Sequence, residues 1–283
     1  MPPRLFSREP RHAPRVTPPS SRHTPDRSRL AGVARVCRKA RGLPSQLAHF
    51  VLPNLCPLCG NLSRATLCVC CDAAYWNEAR LRCTVCAMPL THRRRAAGRA
   101  RYRCEACIDA PPAFDATLAL ADYRAPLDLL ARGLKFRARL ALGEEFARRL
   151  ALVAQDAPDA SGIGGVPDIV VPVPLSRERL IERGYNQAWQ IARPLARRLG
   201  TRADATLVRR ILHTAPQSKL DREARRRNVG RAFALTRPLH GQHVGVVDDV
   251  MTSGATLDAL AHTLKAAGAR RVTNFVALRT PKD

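Results

Sequence analysis

A chain of 283 residues has room for one good-sized domain, a small one and a tail, and its 46% hydrophobic content suits a buried core. No apolar run approaches the roughly 18 residues needed to span a membrane, which argues against a transmembrane segment. A net charge of +25 attracts nucleic acid, anionic lipid and phosphorylated metabolites alike, while an aromatic content of 5% disfavours a surface that stacks single-stranded bases.

Residues 1–45 hold ten Arg and one Lys against Glu9 and Asp26, with eight Pro. Neither charge balance nor apolar periodicity supports folding there, so a disordered basic tail is expected. The tail has no apolar stretch of the secretory kind and only partly matches a transit peptide. Only five of the chain's 48 basic residues are Lys, a bias that GC-rich coding also produces.

Residues 50–110 form a second region, defined by cysteine. Eight thiols fall into four C-x-x-C pairs: Cys56/Cys59, Cys68/Cys71, Cys83/Cys86 and Cys104/Cys107. Two thiolates three positions apart on a tight turn reach one tetrahedral zinc, and two such turns complete its ligands. The short spacers suit two consecutive ribbons with one Zn²⁺ each, although pairing the first turn with the third also satisfies the spacing. Disulfides and an iron–sulfur cluster are the competing readings; the first needs an oxidising compartment. Cys70 stands beside Cys71 and competes with it as a ligand. Such ribbons fold with their ion and serve as docking surfaces, nucleic-acid binders or plain structural modules.

From residue 112 to 283, apolar strands alternate with amphipathic helices. Strands are expected at Phe114–Tyr123, Ile169–Pro174, Val244–Val247 and Arg271–Leu278. Helices are expected at Leu127–Phe136, Leu140–Ala154 and Asn186–Leu199, the last with a kink at Pro194, and another after Thr256. That alternation predicts an α/β fold with a doubly wound, mostly parallel sheet, whose ligands sit beyond the strands' carboxyl ends.

The segment Val244–Thr256 lies at such an end. Four mostly apolar residues deliver Asp248 and Asp249 to the sheet edge, and Thr252, Ser253, Gly254 and Thr256 then open a helix. Amides at a helix start, with hydroxyls and a glycine that permits close approach, cradle a phosphate. Two carboxylates just upstream accept hydrogen bonds from vicinal hydroxyls of a sugar. Together they describe a site for a ribose 5-phosphate; an ordinary N-cap explains Ser253 or Thr252 but not the paired acids.

This segment resembles the phosphoribosyl pyrophosphate motif of type I phosphoribosyltransferases. Val171-Pro-Val-Pro-Leu-Ser176, Arg183-Gly-Tyr-Asn-Gln-Ala188 and the stretch from Gln217-Ser-Lys-Leu220 through Arg225-Arg-Arg-Asn-Val229 to Phe233 narrow the resemblance to the ComF (ComFC/GntX-like) family. The four cysteine turns agree with it, since members carry a zinc ribbon ahead of the transferase-like fold. The resemblance implies a role in DNA uptake during natural transformation, beside a ComFA-type ATPase or other competence proteins. It also implies a cytoplasmic location, at the inner face of the membrane.

Carried over residue by residue, the resemblance puts Asp248 and Asp249 at the ribose hydroxyls. It puts Thr252, Ser253, Gly254, Ala255 and Thr256 around the 5-phosphate, and Val173, Pro174 and Leu175 beside pyrophosphate. Lys135, in Leu134-Lys-Phe136, matches a further family element. The implied activity is Mg²⁺-dependent phosphoribosyl transfer. Mg²⁺ is held mostly by ligand oxygens, and Arg183, Lys219 and Arg225 neutralise the leaving pyrophosphate. Residues 217–228 read as a basic mobile loop. The competing readings are a non-catalytic competence protein that senses nucleotide or handles single-stranded DNA, and a scaffold that docks through its ribbons.

Overall fold

The computed structural model describes residues 54–76, 81–90, 102–156, 165–211 and 232–281. The basic tail and the whole of the 217–228 loop, with Lys219 and Arg225, lie outside the described residues. All described residues belong to one compact unit, Leu52–Asp283.

The centre is a five-stranded parallel sheet in the order β3 (Ala116–Asp122), β9 (Arg271–Arg279), β8 (His243–Met251), β4 (Ile169–Pro172), β5 (Arg202–Ala203). Ile169-Val-Val-Pro172 is buried at every position, as expected for a strand covered on both faces. β8 and β9 pair from His243↔Arg271 to Met251↔Arg279, so β8 runs through the acid pair to Met251 instead of ending at Val247.

Helices α3 (Asp128–Phe136), α4 (Ala141–Asp156) and α6 (Gln187–Leu199) cover one face, packing Leu130, Phe146, Leu150, Ile191 and Leu195 against Val170, Val247 and Phe275. α4 and α6 approach closely at Gly143, where an added Cβ would stand 2.7 Å from the Gln190 carbonyl oxygen. α7 (Ala255–Ala266) covers the other face, with Leu257, Leu260 and Leu264 on Ile169, Val171, Val244 and Val246. Among residues 112–283, α5 (Arg177–Arg183), the edge strand β5 and an antiparallel hairpin of β6 (Val208–Arg210) with β7 (Phe233–Leu235) were not foreseen.

The cysteine-rich segment forms the small antiparallel pair β1 (Asn54–Leu55) and β2 (Leu62–Ser63) and the short helices α1 (Val69–Tyr75) and α2 (Glu105–Asp109). Its two halves join opposite layers. Cys56, Cys68 and Cys71 belong to the core of the α3–α4–α6 face, whereas Cys83, Cys86 and Cys107 belong to that of α7. The first half is fastened through α4: Trp76 meets Phe146 edge-on, and Arg149 pairs with Asp72 while lying over the Trp76 ring.

Candidate functional site

A cleft of 320 Å³ opens at the carboxyl ends of β4 and β8. The end of β8 supplies Asp248 and Asp249, with Thr252 and Thr256 just beyond it. Val173, Pro174 and Leu175 enter from the loop that leaves β4. Arg179 and Arg183 come from α5, Gln187 from the start of α6, Lys135 and Phe136 from the end of α3, and Arg210 from β6.

Local chemistry explains these placements. Ser176 caps α5 by accepting from the Arg179 amide, and Gly184 closes that helix in a left-handed conformation. Asn186 caps α6: its Oδ1 accepts from the Ala188 amide at 2.8 Å and the Trp189 amide at 3.3 Å. Its Nδ2 donates to the Val173 carbonyl at 3.0 Å, which fastens the β4 loop to the helix. The Tyr185 hydroxyl donates to the Leu134 carbonyl, tying the same turn to α3. So Tyr185 and Asn186 support the cleft, while Arg183 and Gln187 face it.

Gln187, 5% exposed, relays between two of the expected residues. Its Oε1 accepts from Arg183 Nη1 at 3.0 Å, and its Nε2 points to Asp249 Oδ1 at 3.5 Å. Asp249 is 4% exposed, and its Oδ2 is buried with no hydrogen-bond partner among the described residues. Asp248 Oδ1 accepts from the Asp249 amide at 2.9 Å. Burial in the cleft, then the neighbouring Asp249 charge, pushes the Asp248 carboxyl well above the usual range, and Lys135 pulls it back only in part.

Beyond Met251 the chain turns through Thr252 and Ser253 to Gly254, at φ +84°, where α7 begins. That left-handed conformation favours glycine, and a Cβ there would also displace the Met251 methyl, 2.6 Å away. The loop separates two cavities. Thr252 and Thr256 face the acid pair. Ser253, Gly254 and Ala255 line a neighbouring cavity of 520 Å³ on the side of the second cysteine cluster. Basic groups surround the acid pair: Arg132, Lys135, Arg179, Arg183 and Arg210. Burial, then the Arg179 charge, depresses the Arg210 guanidinium, as expected for cations gathered where an anion would sit. Sequence reasoning missed Arg132, Arg179 and Arg210, which no motif distinguishes from the many other arginines.

The thiols form two separate groups of four, Cys56/Cys59/Cys68/Cys71 and Cys83/Cys86/Cys104/Cys107, with all Sγ atoms of a group within 4.8 Å of one another. The consecutive pairing is thus the one formed. Cys71 is buried within its group and Cys70 is exposed, which decides between them. Cys59–Cys68 and Cys86–Cys104 Sγ distances of 3.6 Å are too long for disulfides. They match the edge of a tetrahedron with metal–sulfur bonds of about 2.3 Å. The donor sets fit a tetrahedral metal ion on electrostatic grounds as well. Hydrogen bonds from Cys107 and Cys86 hold Cys83 far below the usual thiol range. Cys107 is pushed far above it by the same contact to Cys83, by Cys86 and by burial. Deprotonating all four at once would need a cation, for which the four Sγ atoms of each group are grouped closely enough.

Among the described residues, no helix is long and apolar enough to cross a membrane. No protein-family model matches the chain. Solved structures similar in fold include adenine phosphoribosyltransferase from Leishmania tarentolae, at 13% identity and a TM-score of 0.35 over 58% of this chain and 91% of that one. A purine phosphoribosyltransferase from Pyrococcus horikoshii Ot3 is another, at 18% identity and a TM-score of 0.28 over 48% and 82%. Among curated proteins, the DNA utilization protein YhgH of Escherichia coli O157:H7 is 34% identical over 234 residues, covering 82% of this chain and 99% of that protein. Competence protein F of Haemophilus influenzae is 31% identical over 172 residues, covering 60% and 75%. Competence protein ComFC of Bacillus subtilis is 34% identical over 113 residues, covering 40% and 45%. On the strength of these curated relatives, the chain, a parallel α/β sheet behind two four-cysteine clusters, belongs to the ComF family.

Proposed function

We propose that the cleft binds phosphoribosyl pyrophosphate with Mg²⁺ and transfers its phosphoribosyl group, in the service of DNA uptake and utilization. The observation that carries this reading is the buried Oδ2 of Asp249, without a hydrogen-bond partner among the described residues, beside Asp248 in a cleft ringed by cations and bounded by a helix start. A sugar bearing two hydroxyls, a 5-phosphate and a pyrophosphate satisfies all of these at once. Asp248 and Asp249 accept from the ribose hydroxyls, and the 252–256 amides and hydroxyls hold the 5-phosphate. The loop at Val173–Leu175 borders pyrophosphate, and Arg183 and Arg179 stabilise the charge that grows as the C1–O bond breaks. Lys219 and Arg225 belong to the same proposed set. Mg²⁺, held mainly by ligand oxygens, would add charge neutralisation at the pyrophosphate. An acceptor that brings its own nitrogen needs no nucleophile from the protein.

The eight clustered cysteines would hold two Zn²⁺ ions as structural centres. Single-stranded DNA, a ComFA-type ATPase and other competence proteins are the proposed partners, in the cytoplasm and at the inner face of the membrane. The names of the curated relatives support a DNA-linked role. Phe136, 66% exposed at the rim of the cleft with Lys135 and Arg183 against its ring, supports contact with a base.

Isothermal calorimetry with phosphoribosyl pyrophosphate and Mg²⁺ tests the reading. A charge-assisted hydrogen bond contributes about 1.5–3 kcal/mol, so Asp249→Asn should weaken binding about 10- to 150-fold. Unchanged affinity in the folded variant would remove the proposed site.

A further inference from the structure

Arg279 ends β9 and is only 2% exposed, yet its hydrogen bonds all go to main-chain carbonyls. Its Nε donates to the Cys86 carbonyl at 2.9 Å, within the second cysteine cluster. Its Nη1 donates to the Met251 carbonyl at 3.0 Å, to that of Thr252, and to that of Thr280 at 2.7 Å. One buried guanidinium thus links a metal-ligand turn to the two residues from which the 252–256 loop departs.

The surroundings make this link directional. Arg82 holds the far side of the same turn, donating to the Ala87 carbonyl at 3.1 Å and pairing with Asp122 at 2.8 Å. The Ala113 amide, just after the cluster, donates to Asp258 in the first turn of α7 at 2.7 Å. Cys86, Met251, Ser253, Gly254, Ala255 and Arg279 border one cavity of 520 Å³, so the turn and the loop face each other directly. Among the described residues Arg279 has no carboxylate partner, and a buried cation so placed is costly unless other charge compensates it. A divalent ion with four thiolates carries a net double negative charge and supplies that compensation beside Cys86.

We infer that Arg279 is a positioning residue through which the second cysteine cluster, when it holds its metal, sets the conformation of the 252–256 loop. The ribbon is then a structural part of the ligand site and not a separate docking module. The inference rests on reading Cys83/Cys86/Cys104/Cys107 as a metal site and the loop as an anion cradle. Metal lost there releases the Cys86 turn, loosens Arg279 and frees the Thr252 carbonyl, while the Met251 carbonyl keeps only the Thr280 amide as donor. The first cluster, in the opposite core layer, has no such link among the described residues.

Amide hydrogen exchange on the full-length, zinc-loaded chain tests this without any ligand. Arg279→Met keeps bulk and removes the donors; exchange at 252–257 should speed up about tenfold while β4 and α6 keep wild-type rates. Arg279→Lys, which keeps the charge but loses the fork, should fall between the two. Cys104→Ser should reproduce the loop-limited change, and Cys59→Ser should leave the loop unaltered. Should Arg279→Met fail to fold, stepwise removal of zinc from the wild-type chain by a chelator decides the matter. Faster exchange confined to the loop when the second site empties is the expected result. Unchanged loop exchange, or a uniform rise that includes β4 and α6, would overturn the inference. Binding of phosphoribosyl pyrophosphate, measured in parallel, should weaken about tenfold in Arg279→Met. A wild-type chain that binds none of it would count against the proposed function alone, because the exchange result needs no ligand.

Discussion

Replacing Asn186 by alanine removes three hydrogen bonds in one step. Two are the cap bonds that its Oδ1 accepts at the start of α6, and the third is its Nδ2 bond to the Val173 carbonyl. Loss of an asparagine cap costs about 1 kcal/mol, and loss of a part-buried bond to a carbonyl costs about 1 kcal/mol more. Asn186→Ala should therefore lower unfolding stability by about 2 kcal/mol in urea titrations read by far-ultraviolet circular dichroism. Asn186→Asp separates the two contributions. It keeps an oxygen for the cap and loses the donor, so its stability loss should be about half as large. Both variants release the Val173–Leu175 loop, and both should weaken phosphoribosyl pyrophosphate binding about fivefold, the equivalent of about 1 kcal/mol. Equal destabilisation by Ala and Asp would refute the division into cap and loop bonds. An Asp variant that binds as tightly as wild type would refute the claim that this side chain fixes the loop.

Buried His243 gives the chain an acid-sensitive element. Burial, then Arg271 and Arg270, lowers its imidazole from 6.5 to about 4, against the opposing pull of Asp168 and Asp115. The unfolded chain binds this proton first. The stabilisation is thus complete above pH 6.5 and is lost as pH falls toward 4, by about 3 kcal/mol. His243→Gln should flatten that slope in thermal melts taken between pH 7 and 4. For the first cluster, elemental analysis should find one zinc fewer in Cys71→Ser and wild-type zinc in Cys70→Ser. Equal zinc in those two variants would mean that exposure did not select the ligand.

The parts of the site that could be read in advance were those written as contiguous patterns. Asp248, Asp249 and the hydroxyl–glycine loop occupy nine successive positions, and the cysteines repeat one spacing four times, so local chemistry alone marked them. β8 proved longer than its apolar run because β9 offers backbone partners as far as Arg279, and pairing outweighed the interruption by two acids. α5 escaped notice because it buries none of its residues; Ser176 and Gly184 define it instead of an apolar stripe. β6 and β7 pair across more than twenty intervening residues, a register without a local turn signal. Arg210 entered the cleft through that hairpin. Arg279 was hidden for another reason: its meaning lies in three carbonyls contributed by distant segments, those of Cys86, Met251 and Thr252, and nothing in its own neighbourhood announces them.

The strand order also has a consequence for biosynthesis. The two most heavily paired strands, β8 and β9, follow every other strand along the chain, yet they occupy the middle of the sheet. β3 is paired only with β9, and the bond from Asn274 to Thr117 joins residues 157 positions apart. As the nascent chain leaves the ribosome, β3 and β4 therefore wait with open edges until the strands that separate them emerge. The thiol groups face no such delay, since each closes within 25 residues and can capture its ion while synthesis continues. Two early, metal-closed knots would then hold the future surfaces of opposite layers, and the sheet would complete itself between them only when Arg279 arrives.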